Sequence, residues 1–163
     1  MNQSSTSQTS VPRPTAAFVG AAWVCLLAGT VAFGVGLWNS GMTLSEKGYY
    51  LTVLLFGLFA AVSLQKSVRD QAEDITVSPL YFGLSWASVG MAVILLGVGL
   101  WNADLLPSEK GFFAMSFALS LFAAVTVQKN VRDLAAAPTS STSTAPTSST
   151  TTATEPAELS WPN

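Results

Sequence analysis

The chain repeats itself without a gap. Gly34-Val35-Gly36-Leu37-Trp38-Asn39 returns 63 positions later as Gly97-Val98-Gly99-Leu100-Trp101-Asn102. At the same offset Ser45-Glu46-Lys47-Gly48 returns as Ser108-Glu109-Lys110-Gly111, and Leu58-Phe59-Ala60-Ala61-Val62 as Leu121-Phe122-Ala123-Ala124-Val125. Gln65-Lys66 and Val68-Arg69-Asp70 return as Gln128-Lys129 and Val131-Arg132-Asp133. A tandem repeat of this fidelity constrains architecture before anything else does: one supersecondary unit is built twice. It assigns no activity.

Charge decides the solvent. Half the residues are hydrophobic and only 10% are charged, against about 25% in an ordinary soluble domain. The charges are also segregated. No Asp, Glu, Lys or Arg occurs from Ala16 to Trp38, from Gly48 to Gln65, from Pro79 to Asn102 or from Gly111 to Gln128. Uncharged apolar stretches of roughly 18 residues or more read as transmembrane helices. The second and fourth stretches sit at the lower limit and gain length if Glu46, Lys47 and Lys66 reach the headgroups with their charged ends. A soluble bundle is disfavoured, because its helices need a polar face. The first span is read as retained rather than cleaved, since a signal peptide has no reason to recur in mid-chain.

The expected fold is therefore an all-α membrane protein with four transmembrane helices, arranged as two helical hairpins with disordered tails. Residues 1–15 form a polar leader, 16–70 the first two-helix repeat, 71–78 an acidic linker, 79–133 the second repeat, and 134–163 a Ser/Thr/Pro-rich tail that cannot bury a core. Two spans per repeat is an even number, so both copies enter from the same side. They are expected to be parallel repeats about an axis along the membrane normal, not inverted ones. Arg13, Lys66, Arg69, Lys129 and Arg132 fall on the side of the termini, and only Lys47 and Lys110 on the other. That asymmetry puts both termini in the cytoplasm.

Helix ends and helix faces can be read more finely. Ser45 and Ser108 are expected as N-caps of the second and fourth spans, with Glu46 and Glu109 in the first turn and Pro107 as a stop ahead of the fourth. Ala17, Ala21, Cys25 and Gly29 form a small-residue stripe on the first span. Gly57 with Ala61, and their repeat partners Ser120 with Ala124, form shorter ones. In lipid such faces let helix backbones approach closely. Whether spans two and four pack on each other or on their own hairpin partners is left open by the pattern.

Three boxes are candidate sites. Gly34, Gly36, Trp38 and Asn39, with Gly97, Gly99, Trp101 and Asn102, would line a periplasmic-side site of backbone, indole and amide. The plainer reading is a closely packed helix end with an interfacial tryptophan anchor, the two glycines of each pair making close contacts on both sides. A lone Gly-x-Gly inside a span is no nucleotide motif. Glu46 and Glu109 would form a carboxylate pair if brought together, but each stands beside a lysine, Lys47 or Lys110, at a wet helix start, which favours capping and anchoring. The Gln-Lys-x-Val-Arg-Asp box ends spans two and four with basic residues suited to the helix dipole and an anionic lipid surface.

The chain has no histidine and one cysteine, Cys25, read as a small filler within the first span. No ionisable group lies at mid-span, where proton and ion pathways normally keep one. No catalytic residue, cofactor or metal is expected, and the chain is not expected to be an enzyme or to bind nucleic acid. The leading functional reading is a structural or partner-binding membrane protein. Its partners are the lipid bilayer, with a homo-oligomer or another membrane protein left open. The alternative is a small transporter or pore acting as an oligomer.

The boxes taken together resemble the YiaA/YiaB two-helix domain family of bacterial inner-membrane proteins. The resemblance rests on Gly-x-Gly-Leu-Trp-Asn, then Ser-Glu-Lys-Gly-aromatic, then Phe-Ala-Ala-Val-x-x-Gln-Lys-x-Val-Arg-Asp, and covers about residues 16–133 in two copies. It implies a multi-pass protein of the cytoplasmic membrane. It implies no activity, substrate or site residue, and the tail lies outside it.

The orientation is directly testable. A periplasm-active reporter fused after Asn163 is expected to be silent, and one inserted near Gly41 or Asp104 active; the reverse pattern overturns the charge argument.

Overall fold

The computed structural model describes residues 14–136. Nearly all of the leader and tail lies outside the described residues. Four helices make up the described part: α1 (Ala16–Asn39), α2 (Leu44–Ala72), α3 (Pro79–Asn102) and α4 (Pro107–Ala136). The bounds of α1 and α3 are exact repeats of one another, as are the starts of α2 and α4. The central linker shortens to residues 73–78 because α2 runs on to Ala72, where Arg69 Nε pairs with Glu73 Oε1 at 2.6 Å. Likewise α4 takes in the first three residues of the expected tail.

All four helices are long and apolar enough to cross a membrane, and only 17% to 39% of their most apolar windows is buried within the chain. In water that arrangement would leave apolar patches far larger than a soluble monomer shows. In a bilayer it is what each helix requires, since its backbone is already satisfied and its outward side chains meet hydrocarbon.

The helices exchange partners between repeats. α1 lies along α4 and α3 along α2, while α2 and α4 meet at the centre; α1 touches its own hairpin partner α2 only sparsely. The contacts give the directions. A Cβ on Gly36, near the end of α1, would meet Phe112 and Phe113 at the start of α4. A Cβ on Gly99, near the end of α3, would meet Tyr49 and Tyr50 at the start of α2. Both pairs are antiparallel, and both hairpin turns lie at the same end. Gly57, midway along α2, faces Phe117 and Leu121, midway along α4, so these central helices run parallel. The two repeats therefore share one orientation along the bundle, as the even number of spans requires.

Packing follows from notches and rings. Phe33 of α1, Leu54 of α2, and Phe113 and Phe117 of α4 are the core of the assembly, with Ala92 and Leu96 from α3. Phe33 meets Phe113 edge-on at a centroid distance of 5.2 Å, and Tyr50 stacks on Phe113 at 6.1 Å. Such ring pairs contribute about 0.5–1.5 kcal/mol beyond burial. Gly29 lets α4 come close: a Cβ there would lie 2.7 Å from Ser120 Oγ and 2.9 Å from Ser120 N. Between α2 and α3 the Ser67 and Ser85 hydroxyls bond at 3.2 Å, and Tyr49 Oη donates to the Leu95 carbonyl at 2.6 Å. In lipid these contacts, not water expulsion, hold helices together.

Three local expectations are corrected. Thr43, not Ser45, caps α2: its hydroxyl accepts from the Glu46 N–H while Glu46 reaches back to the Thr43 N–H, a reciprocal box that needs the cap three residues before the acid. Ser108 lies within the first turn of α4 and Pro107 is the helix's first residue rather than a stop, because its missing N–H would be unpaired there anyway. On α1 the small stripe is not the contact face. Ala17, Ala21 and Cys25 are exposed and only Gly29 is buried; the face that packs runs through Ala22, Gly29, Phe33 and Leu37. Volume explains the shift: α1 needs bulk where α4 leaves room, and one notch suffices for close approach.

The shorter stripes do face helices. Gly57 and Ser120 are both buried. Gly57→Leu and Ser120→Leu are each expected to lower the thermal stability of the detergent-solubilised protein by about 1–3 kcal/mol through overpacking, whereas Ala21→Leu, on an exposed face, leaves the melting curve unchanged.

Candidate functional site

The boxes singled out in the sequence converge on the hairpin-turn end of the bundle. Within each repeat the second box closes onto the first. Lys47 Nζ donates to the Trp38 carbonyl at 3.0 Å, and Lys110 Nζ to the Trp101 carbonyl at 3.5 Å. These carbonyls belong to the last turn of α1 and α3, where no intrahelical donor remains and the dipole favours a cation. Asn39 and Asn102 serve the same end: their Nδ2 groups donate to the Val35 and Val98 carbonyls at 2.8 and 2.7 Å. Glu46 and Glu109 serve the helix starts. Glu46 Oε2 accepts from the Thr43 N–H at 2.7 Å, and Glu109 Oε2 from the Leu106 N–H at 2.8 Å. Each carboxylate is thus held by its own helix start. Trp38 and Trp101 point outward with nearly equal exposure, 83% and 85%, the disposition of interfacial anchors.

The glycines divide. Gly36 and Gly99 are the notches that seat the aromatic pair of the other repeat, so the first box of one copy reads the second box of its neighbour. Gly34 and Gly97 face open space, with nothing within 4 Å of an added Cβ. Close contact on both sides of the Gly-x-Gly, as expected from the sequence, is replaced by close contact on one.

A cleft of about 290 Å³ opens where α1 ends and α4 begins. Gly36, Asn39, Ser40, Ser108, Glu109, Phe112 and Phe113 line it. Its chemistry is modest. The Glu109 carboxylate, the Asn39 amide and the Ser40 hydroxyl are already engaged at helix ends, which leaves the Ser108 hydroxyl, a carbonyl acceptor and ring edges. That suits holding a polar group at the membrane surface better than transforming one. At the repeat-related place Tyr49 and Tyr50 stand where Phe112 and Phe113 do here, and a Cβ on Gly99 would lie 3.2 Å from the Tyr50 hydroxyl. Among the described residues no group of three or more His, Cys, Asp or Glu stands together as a metal site would.

Polar residues near the other end escaped the sequence reading. Ser67 and Asn130, the variable position of the Gln-Lys-x-Val-Arg-Asp box, are 0% and 1% exposed. Gln65 Oε1, Gln128 Oε1 and Asn130 Nδ2 are buried without a hydrogen-bond partner. The signal was present in the identity of Gln65 and Gln128 across the repeat, but the basic residues beside them made the whole box read as a solvated helix end.

The division among the glycines gives a test. Gly36→Leu and Gly99→Leu are expected to lower the thermal midpoint, since Phe112 or Tyr49 must be expelled from the notch; Gly34→Leu and Gly97→Leu are expected to leave it near wild type or raise it, because leucine is the better helix former by up to about 1 kcal/mol. Equal effects at all four positions would refute the seating of the rings.

Comparison with known proteins agrees with this two-copy construction. The model of the yiaA/B two helix domain matches twice, over residues 18–70 and 81–133. The chain is 50% identical over 126 residues to the inner membrane protein YiaA of Escherichia coli strain K12, a match covering 77% of this chain and 87% of the relative. It is 41% identical over 63 residues to the uncharacterized membrane protein YubF of Bacillus subtilis strain 168, covering 38% of this chain and 72% of that protein. The shorter match has the length of one repeat unit. No solved structure matches. With the family pattern present in both copies and a bundle built by exchanging helices between them, the chain belongs to the yiaA/B two helix domain family and is a membrane protein of that family.

Proposed function

We propose that this chain acts as a non-enzymatic membrane protein, structural or partner-binding, with both termini on the cytoplasmic side. The observation that carries the reading is the filled interior. Where the two repeats meet, Phe33, Tyr50, Leu54, Phe113 and Phe117 close the space between helices with rings and methyl groups, each of them at most 3% exposed. A conducting path through a single copy needs water and polar lining, and this core is closed by side chains whose one polar group is the Tyr50 hydroxyl. The two boxes at the hairpin-turn end support the same reading, because their polar groups are engaged in capping helix ends and tying the hairpin turns. The split of basic residues supports the orientation.

What remains available for recognition is outward. Phe59, Phe122, Trp38 and Trp101 are each more than 70% exposed. They give a neighbour in the membrane large, rigid, low-entropy contact area. Reconstitution tests the reading against the transport alternative. Proteoliposomes carrying the chain are expected to leak ions and small polar solutes at the rate of empty vesicles, while a photo-crosslinker at Phe59 or Phe122 in native membranes gives a discrete protein adduct. Fluxes above the empty-vesicle rate would favour the oligomeric pore instead.

A further inference from the structure

The two repeats are not equal on their outer faces. Where α3 and α4 part, a cavity of about 660 Å³ opens to the surrounding hydrocarbon, with α2 as its floor. Ala114 and Ala118, one turn apart on α4, line it. Their repeat partners on α2 are Leu51 and Leu55, both exposed. The second copy carries alanine at two positions where the first carries leucine, and both alanines line the groove.

Its dimensions select the occupant. Along α3 the lining runs from Trp86 to Leu100, which at a rise of about 1.5 Å per residue is about 21 Å. An extended hydrocarbon chain, whose carbons contact neighbours at about 4 Å, suits so elongated a groove lined by apolar side chains apart from Gln65. The length exceeds the roughly 15 Å depth of one leaflet's hydrocarbon.

Charge selects which end carries the headgroup. On α4 the lining positions Ala114, Ala118, Phe122 and Val125 continue at helical spacing into Lys129 and Arg132. Neither forms an ion pair among the described residues, whereas Arg69 on α2 is engaged by Glu73. Asp133 follows on the same turn, so the pair's charge is reduced but not cancelled. Gln65 lines the groove at this end, and its Oε1 is buried without a partner.

We propose that the groove between α3 and α4 is a phospholipid site, holding one acyl chain of an anionic phospholipid whose phosphate lies against Lys129 and Arg132. Gln65 Oε1 accepts a hydrogen bond from a headgroup hydroxyl or amine. The site is independent of the scaffold reading above.

Native mass spectrometry of the full chain, extracted from membranes in mild detergent, tests it. The wild type is expected to carry a satellite heavier by one phospholipid, and lipid analysis of the sample to return an anionic class. Ala114→Leu with Ala118→Leu, which rebuilds the first repeat's wall, removes the satellite while the helical melting curve is retained. Lys129→Gln with Arg132→Gln lowers retention of anionic lipid by about thirtyfold, since each basic residue at an anionic surface contributes about fivefold. The mirror variant, Leu51→Ala with Leu55→Ala, opens the matching cleft between α1 and α2 and adds a second lipid; it alters only outward side chains and keeps the test open should the filled variant fail to fold. A wild type without bound phospholipid, a satellite that survives in the filled variant, or a filled variant that loses a dimer instead of a lipid would each overturn the proposal.

Discussion

A bilayer removes the force that normally gathers helices, because a leucine gains nothing by leaving hydrocarbon for another leucine. Order among four apolar helices must then come from shape. Here it comes from places where one backbone lacks a side chain and the facing helix supplies one. Gly36 receives Phe112 and Phe113, Gly99 receives Tyr49 and Tyr50, Gly29 admits the Ser120 backbone, and Gly57 admits Phe117. Every one of these contacts joins the first repeat to the second. The exchange of partners is therefore the arrangement in which each of these notches receives a residue of the other repeat.

The hairpin turns have a different task, and different chemistry performs it. Four residues join α1 to α2, and four join α3 to α4. Too short to relax, these turns bring a helix C-terminus beside the next helix's first turn. Lys47 and Lys110 then meet orphan carbonyls, and Glu46 and Glu109 meet orphan amides. Polar groups at the membrane surface are thereby engaged locally, and the helices beyond the turn are free to splay toward other partners. Short polar ties at the end and steric notches along the length divide the work of one repeat.

Near-symmetry makes the departures from it informative. Tyr49 donates to α3 while Phe112, at the same place on α4, has no hydroxyl to give. Ser67 bonds Ser85 across α2 and α3, while Asn130 and Ala22 occupy the same two places on α4 and α1 and leave an amide nitrogen without a partner. Leu51 and Leu55 become Ala114 and Ala118, and a groove follows. Duplicated units that keep their interface and diverge on their flanks acquire distinct surfaces without losing the shared core.

Much of this protein was legible in its residues. Uncharged stretches of span length named the four helices, because hydrocarbon tolerates no unpaired backbone and few charges. The offset of 63 set the repeat, and an even number of spans made the copies parallel. The capping acids and the interfacial tryptophans could also be read, being local. What stayed hidden was non-local. Ser45 looked as good a cap as Thr43 until the reciprocal bond to Glu46 chose between them. The Ala17–Gly29 stripe looked like a contact face until Phe33 and Leu37 found space on α4. Partner exchange, the seating of aromatic rings in glycine notches and the groove beside Ala118 depend on which surfaces complement each other in three dimensions. In a membrane nearly every residue of a span is apolar, so hydropathy carries no record of which face looks at lipid and which at protein; only the fit of volumes does, and that is a property of the assembled helices.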